Sequence, residues 1–377
     1  MNPLQSTRLS EAIPEYTPAA ESATLHVLGV LPGEGVGPEV IGTALEVLEV
    51  VGRHSSRRFE IRTGGMIGMA ARREHGMDLT EQVNGFCEEI FHQGGAVICG
   101  PGGGRFVYEL RARFDLYCKF APLVPLAALQ DTGPLRPASV QGVDIIVVRE
   151  NISGLYFGEW GTTSGVEGNE TAFHQLSYQQ EDVDRILAVG HRLAQMRRGR
   201  LCVAVKPHGI PSISQLWEER AKELNRNQEV ELSLLEIDNA SYQLIARAQD
   251  FDVVVAPNMF GDVLADCGAL LLGSRGMSFS GNFGAGGKAV YQTGHGAAYD
   301  LAGSDKANPL GQILSLAMML RESYAWPEGA ARIEAAVART LEQGYRTPDI
   351  AAEGCQVVGT RELARQVCQA IEAGFDS

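Results

Sequence analysis

Short apolar runs of strand character alternate along the chain with stretches whose apolar positions recur at helical spacing. The first run, LHVLGVL at 25–31, is followed by a helical pattern from Pro38 to Val51. AVICG at 96–100, VDIIVVRE at 143–150, LCVAVK at 201–206, VELSLLEID at 230–238 and FDVVVAP at 251–257 predict further strands. Helical periodicity predicts helices over 80–92, 181–197, 212–225, 239–249, 259–271, 307–323, 328–343 and 360–373. Strands that are apolar on both faces, separated by amphipathic helices, imply an α/β fold around a largely parallel sheet. The segment 151–180 is rich in Gly, Thr, Ser, Tyr and Glu and lacks the helical period. It predicts an arm or small sheet that packs against a partner subunit. No internal repeat or low-complexity tract interrupts the pattern.

Composition narrows the class. A chain of 377 residues exceeds what one compact core usually holds, so two domains are expected. A hydrophobic share of 45% with 21% charged residues is that of a globular chain and excludes disorder. The formal net charge of −14, with Lys and Arg scattered, argues against nucleic acid or an anionic membrane as partner. It leaves room for a small anion, since a few local cations outweigh a diffuse negative surface. No apolar run approaches the length of a bilayer span. Seven cysteines lie far apart without a C-x-x-C pair, which predicts reduced thiols and a cytoplasmic location. Residues 1–24 are polar, carry Glu11, Glu15 and Glu21, and lack the apolar core of a signal peptide. They predict a mobile extension.

Candidate chemistry begins with PNMFGDVLADCGALLLGS at 257–274. Asp262 and Asp266, four apart in a helical stretch, project from one face. They form either a solvated acidic face or a pair that needs a cation, for which a hard divalent ion is the natural candidate. The apolar neighbours favour the second reading, because a buried helix would make unpaired carboxylates costly. Asp238, at the end of a strand, reads either as a helix N-cap or as a third oxygen ligand. Arg149 closes the apolar strand VDIIVVRE and pairs either with Glu150 or with a substrate carboxylate. Arg111 lies in YELRARFDLY. Lys206 ends LCVAVK, where burial would lower its pKa and suit it to act as a general base. Tyr156 could deliver a proton. GEGVGPEV at 33–40 lacks the third glycine of a dinucleotide fingerprint, because Pro38 stands there; it reads as a Gly-rich turn with Pro at a helix start. TGHGAAYDLAGSDKANP at 293–309 is a small-residue loop that lets backbone approach a flat ring or ribose. An acidic residue within it would favour free ribose hydroxyls over a 2′-phosphate.

LPGEGVGPEV, DIIVVREN-ISGLYFGE, VAVKP, FDVVVAPNMFGDVLAD and HGAAYDLAG-SDKANP, in this order, resemble the isopropylmalate and isocitrate dehydrogenase family of β-decarboxylating dehydrogenases. The resemblance runs from about residue 25 to the C-terminus. It implies a two-domain fold distinct from the Rossmann type. A discontinuous nucleotide-binding domain would comprise 25–116 plus 274–377, and a central dimerisation and substrate domain 117–273. It further implies a homodimer with shared active sites, NAD, and Mg2+ or Mn2+. Asp262 and Asp266 become metal ligands, completed by Asp238 of the second subunit. Lys206, from the same second subunit, becomes the base and Tyr156 the acid. Arg111 and Arg149 hold the carboxylates of a 2-hydroxy acid. His295, Gly296, Ala297, Ala298 and Asn308 border the adenosine, and Asp300 takes the ribose hydroxyls, pointing to NAD.

The chain departs from the family pattern near Arg111. LRARFDLYCKFAPL keeps that arginine but carries Ala121 where the family has a second one. Lys119 stands two residues earlier, on the same side if this stretch is a strand, and would restore a point charge. Before Arg111, Val107 and Tyr108 favour an apolar or aromatic substrate substituent, whereas Arg105 favours an anionic one. Glu34 replaces the usual Asp of the first loop. The expected activity is oxidative decarboxylation of a 3-substituted malate of isopropylmalate type. Isocitrate, homoisocitrate, tartrate and D-malate stay open as substrates, as does a catalytically weakened regulatory paralogue.

Overall fold

The structure, a computed structural model, describes residues 8–164 and 169–375. A short 3-10 turn (Leu9–Ala12) precedes β1 (Leu25–Leu31), α1 (Gly37–Arg53), β2 (Arg58–Thr63), α2 (Gly68–His75), α3 (Glu81–His92), β3 (Ala96–Cys99) and α4 (Phe106–Phe114). Next come β4 (Cys118–Leu123), the single turn α5 (Pro137–Val140), β5 (Ile145–Glu150), β6 (Trp160–Ser164) and β7 (Glu170–His174). These lead to α6 (Gln180–Met196), β8 (Arg200–Val205), α7 (Pro211–Leu224), β9 (Glu231–Glu236), α8 (Ile237–Ala246), β10 (Val253–Ala256) and α9 (Asn258–Gly268). The chain finishes with β11 (Phe279–Phe283), β12 (Ala289–Thr293), α10 (Leu310–Glu322), α11 (Pro327–Glu342), β13 (Tyr345–Arg346), β14 (Gln356–Val357) and α12 (Thr360–Ala373).

Ten strands form one sheet in the order β2-β1-β3-β12-β11-β4-β5-β10-β8-β9. The outer pairings on both sides are parallel. The three central ones, β12–β11, β11–β4 and β4–β5, are antiparallel. Three reversals in succession make the two parallel blocks run in opposite directions. This is the mixed, largely parallel α/β sheet expected, and its order is not that of a Rossmann fold. One block is built from strands near both ends of the chain, the other from its middle.

Every strand and helix expected from periodicity is present, with ends displaced by up to a few residues. The strands missed include β2, β11 and β12; FSGNF in β11 and AVYQT in β12 show too little apolar pattern to stand out. Helix α10 is buried on all sides, which places it in the core rather than on the surface. Pro38 occupies the first turn of α1, as its fixed φ favours. In the 151–180 region β6 and β7 form an antiparallel hairpin away from the main sheet; residues 165–168 lie outside those described. Among the described residues no helix is long and apolar enough to cross a membrane.

The reading of residues 1–24 as a mobile extension is corrected from residue 8 onward; residues 1–7 lie outside those described. Leu9, Ala12, Ile13 and Tyr16 are buried. The backbone N–H groups of Leu9 and Ser10 donate to the buried Glu322 carboxylate at 3.1 and 2.8 Å. Tyr16 shares a hydroxyl contact of 2.7 Å with Ser323, and Arg192 of α6 donates to the Glu11 carbonyl. The polar composition hid these four apolar anchors.

Candidate active site

The antiparallel centre of the sheet, where the two blocks meet, floors an open cleft of about 300 Å³. Its walls come from α4, α9 and the turn after β12. Helix α9 lies close over β5 because Gly261 faces the sheet; a Cβ there would stand 2.8 Å from the Arg149 side chain. Gly261, Leu264 and Gly268 are buried toward the strands. Asp262, Ala265 and Asp266, on the adjacent stripe of the helix, line the cleft. The helix is less buried than its sequence suggested. Val263 and Leu270 are 45% and 43% exposed, so the two aspartates stand at a wet boundary.

Arg149 and Glu150 alternate across β5, so they do not pair with each other. Arg149 forms an ion pair with Asp262 and donates to Asn258 Oδ1 at 2.8 and 3.0 Å. Glu150 instead accepts backbone N–H groups of Ile152 and Ser153, and burial pushes its carboxyl up to about 7. The Tyr156 hydroxyl donates to the other Asp262 oxygen at 3.1 Å. Burial and the Asp262 charge raise that phenol to about 12, so it keeps its proton. Burial works against the Asp262 carboxylate, but Arg149, Lys119 and Arg111 outweigh it and hold the group below its usual range.

Arg111 and Lys119 enter the same cleft. Lys119 stands directly across the β4–β5 ladder from Arg149, and Lys119 and Ala121 both line the floor. Among the described residues neither the Arg111 nor the Lys119 side chain has a hydrogen bond or ion pair; the Arg111 Nε is buried without a partner, and its guanidinium lies 5.8 Å from the Tyr108 ring. Burial and the nearby Arg149 charge push Arg111 down to about 9. Burial, then Arg111 and Arg149, push Lys119 down to about 7. Two unpaired cations held this close cost free energy that an anion would recover.

Asp266 faces Arg275, whose Nη2 lies 2.9 and 3.0 Å from the two carboxylate oxygens. Burial raises the Asp266 pKa; Arg275 opposes the rise and the neighbouring Asp262 charge adds to it. Asp262 and Asp266 thus form an oxygen-rich pair that is strained by like charge and capped by guanidinium groups. That donor set suits a hard divalent ion, which commonly takes one or two carboxylates and completes its shell with water and substrate oxygens. No cluster of three or more acidic, His or Cys side chains that could hold a metal occurs among the described residues. The pair would need a further ligand from elsewhere.

Lys206 and Asp238 do not line this cleft. They stand near the far edge of the sheet, where Lys206 Nζ bonds Glu236 at 2.8 Å and Asp238 at 2.9 Å. The expected lowering of the Lys206 pKa is therefore corrected: the hydrogen bonds to Glu236 and Asp238 raise it. Asp238 lies in the first turn of α8 and is largely exposed.

Val107 and Tyr108 of α4 line the cleft. Arg105 does not: its Nη2 donates to the Tyr156 carbonyl at 3.0 Å and its guanidinium lies 5.1 Å from the Tyr108 ring. His295 and Gly296 border the cleft, and burial lowers the His295 pKa. Ala297 accepts Val36 N–H at 2.9 Å, an approach that Gly35 permits, since a Cβ there would meet the Ala297 oxygen at 1.9 Å. Asp300 is exposed beyond this contact. Asn308 is buried and donates to Asp349, so its side chain braces the loop.

A sequence profile described as "Isocitrate/isopropylmalate dehydrogenase" matches residues 27–367. The chain belongs to this family. It is 38% identical over 358 residues to a 3-isopropylmalate dehydrogenase of Synechococcus elongatus, covering 91% of this chain and 97% of the relative. A 3-isopropylmalate dehydrogenase of Carboxydothermus hydrogenoformans is 38% identical over 364 residues, covering 92% and 94%. The structure of isocitrate dehydrogenase from Methylococcus capsulatus matches with a TM-score of 0.81 at 27% identity, over 92% of this chain and 99% of that one.

Family membership accounts for the motifs but not for three residues that sequence reasoning missed or undervalued. Asn258 orients Arg149, and its place at the start of α9 was the only hint. Arg275, nine residues beyond Asp266, carries no periodic signal at all. Glu34 is buried and collects the N–H groups of Met69, Ala70 and Gly103 and the Tyr299 hydroxyl. It ties the loops after β1 and β3 to the small-residue loop at 293–309.

Proposed function

We propose that the chain is an NAD-dependent dehydrogenase that oxidises the 2-hydroxyl of a 3-substituted malate and releases the neighbouring carboxylate as carbon dioxide. The observation that carries this reading is the juxtaposition, in one cleft, of the Asp262–Asp266 pair and four cationic side chains, with the Tyr156 hydroxyl bonded to Asp262 at 3.1 Å. Arg111, Lys119 and Arg149 would hold the substrate carboxylates, with Arg149 pre-oriented by Asn258. Asp262 and Asp266 would hold Mg2+ or Mn2+, with Asp238 of a second subunit. A bound divalent cation would supply Lewis-acid stabilisation of the developing oxyanion. The protonated Tyr156 hydroxyl, within reach of Asp262, would give its proton to the carbon skeleton after decarboxylation. Lys206 of a second subunit would take the hydroxyl proton, which requires that it first give up its hydrogen bonds to Glu236 and Asp238.

His295, Gly296, Ala297 and Ala298 would contact NAD, with Asp300 toward the ribose hydroxyls and Asn308 bracing the loop. The homodimer reading rests on exposed apolar groups: Trp160 and Phe173 on the β6–β7 hairpin, and Tyr242, Val263 and Leu270 on and beside α8 and α9. An isolated two-stranded hairpin is marginal unless something covers it. The two blocks of the sheet would act as two domains, 25–116 plus 274–377 and 117–273, closing over the cleft. All seven cysteines are free, which fits a reducing cytoplasm.

NADH formation measured with Mn2+ across 3-isopropylmalate, isocitrate, homoisocitrate, tartrate and D-malate tests this reading. Metal-dependent turnover of one of them, abolished by EDTA and weaker with NADP, is expected. Absence of turnover across the whole panel would overturn it in favour of a regulatory paralogue.

A further inference from the structure

The loop between β12 and α10 carries a strained residue between two anchors. Ala298 has a φ of 41°, in the left-handed region that residues other than glycine rarely adopt. Such a conformation costs free energy and persists only where its neighbours are fixed. On one side the Ala297 carbonyl accepts the Val36 N–H at 2.9 Å. On the other the Tyr299 hydroxyl donates to Glu34 Oε2 at 3.2 Å. Burial and the Glu34 charge raise the Tyr299 pKa, so the phenol keeps the proton it donates. The Leu301 N–H closes the turn on the Ala298 carbonyl at 2.9 Å. Asp300, directly after Tyr299, is exposed and has no hydrogen bond or ion pair among the described residues.

Glu34 does not need Tyr299 for its own satisfaction. Its buried carboxylate already accepts the N–H groups of Met69, Ala70 and Gly103 at 3.0, 2.6 and 2.9 Å. Nor does the Tyr299 side chain fill core, since the residue is 54% exposed. Room for its hydroxyl is kept by Gly103, where a Cβ would stand 2.7 Å from the phenol oxygen. What the contact fixes is the loop. We propose that Tyr299 is a positioning residue for the dinucleotide, its bond to Glu34 holding the loop so that the Asp300 carboxylate is presented in advance to ribose hydroxyls. This rests on the NAD-dependent reading above. The donor set fits that ligand. A free carboxylate can accept from two hydroxyls at once, and Gly296, with open space where a Cβ would be, leaves the nearby backbone approachable. A loop fixed beforehand spares the ordering cost that binding would otherwise carry.

Calorimetric titration of the full-length protein with NADH tests this without turnover. Tyr299→Phe keeps the ring and removes only the hydroxyl. NADH should bind that variant about 3- to 10-fold more weakly, the worth of one hydrogen bond. Its unfolding midpoint without ligand should stay within about 2 °C of wild type. Asp300→Ala should weaken NADH binding by itself. Adding Tyr299→Phe to it should weaken binding no further, because Tyr299 acts through Asp300. Wild-type affinity in Tyr299→Phe would overturn the proposal. So would losses that add in the double variant, which would put Tyr299 in direct contact with the dinucleotide. A midpoint lowered by several degrees would likewise overturn it, by making the contact a structural one. Absence of NADH binding by the wild-type protein would instead sink the dinucleotide reading itself, and this proposal with it.

Discussion

At the scale of single residues, the site is governed by which charges are satisfied within the chain and which are not. Lys119 is the clearest case, since alternation in β4 puts it on the same face as Ala121 and opposite Arg149. A lysine cannot reproduce the bidentate fork of an arginine, but it supplies the charge. Lys119→Met should raise the KM for substrate about tenfold or more with a smaller change in kcat, read from steady-state kinetics. Its pH dependence has a definite sign. Burial, Arg111 and Arg149 lower the Lys119 pKa to about 7, so the side chain is charged below that pH and neutral above it. KM should therefore rise as pH increases through about 7, and Lys119→Arg should remove that inflection, because a guanidinium stays protonated.

At the scale of elements, the N-terminal segment behaves as part of the core. The turn at Leu9–Ala12 satisfies the buried Glu322 carboxylate, and Leu9, Ile13 and Tyr16 fill space beside α6 and α10. Deleting residues 1–24 would leave that carboxylate without its N–H donors and expose apolar core. A loss of about 3 kcal/mol or more is expected, read as a lower midpoint in urea or on heating. Ile13→Ala alone should cost about 2–4 kcal/mol by the same measurement, because its side chain is fully enclosed. The β6–β7 hairpin is the opposite kind of element. Its strands pair with each other yet leave Trp160 62% exposed, so its apolar surface is unspent within the chain.

At the scale of the whole molecule, the candidate chemistry falls in two places. Tyr156, Asp262 and Asp266 lie at the central cleft, and Lys206 with Asp238 near the far edge of the sheet. If a second copy brings Lys206 to the cleft, two inactive variants should complement. Equimolar Lys206→Ala and Asp262→Asn proteins, unfolded and refolded together, should recover about a quarter of wild-type activity. Random pairing makes half the dimers mixed, and each mixed dimer carries one intact site. No recovery from a verified mixed dimer would place Lys206 outside the reaction.

The sequence alone determined the α/β class, the succession of most elements and the pairing of Asp262 with Asp266 on one helix face. Those features depend on local periodicity, which a linear string records. It also marked Arg149 and Lys206 through their places at the ends of apolar strands, whereas Lys119 stood out only against the family pattern. Only the tertiary structure decided the partners. Arg149 turned from Glu150 to Asp262, Lys206 found Glu236 and Asp238 rather than an apolar pocket, and Arg275 met Asp266. Charge pairing depends on distance through space, and strands distant in sequence became neighbours only when the two opposed blocks joined at β11, β4 and β5. For the same reason residues 8–24 looked like a loose polar tail until α10 supplied the buried carboxylate that holds them.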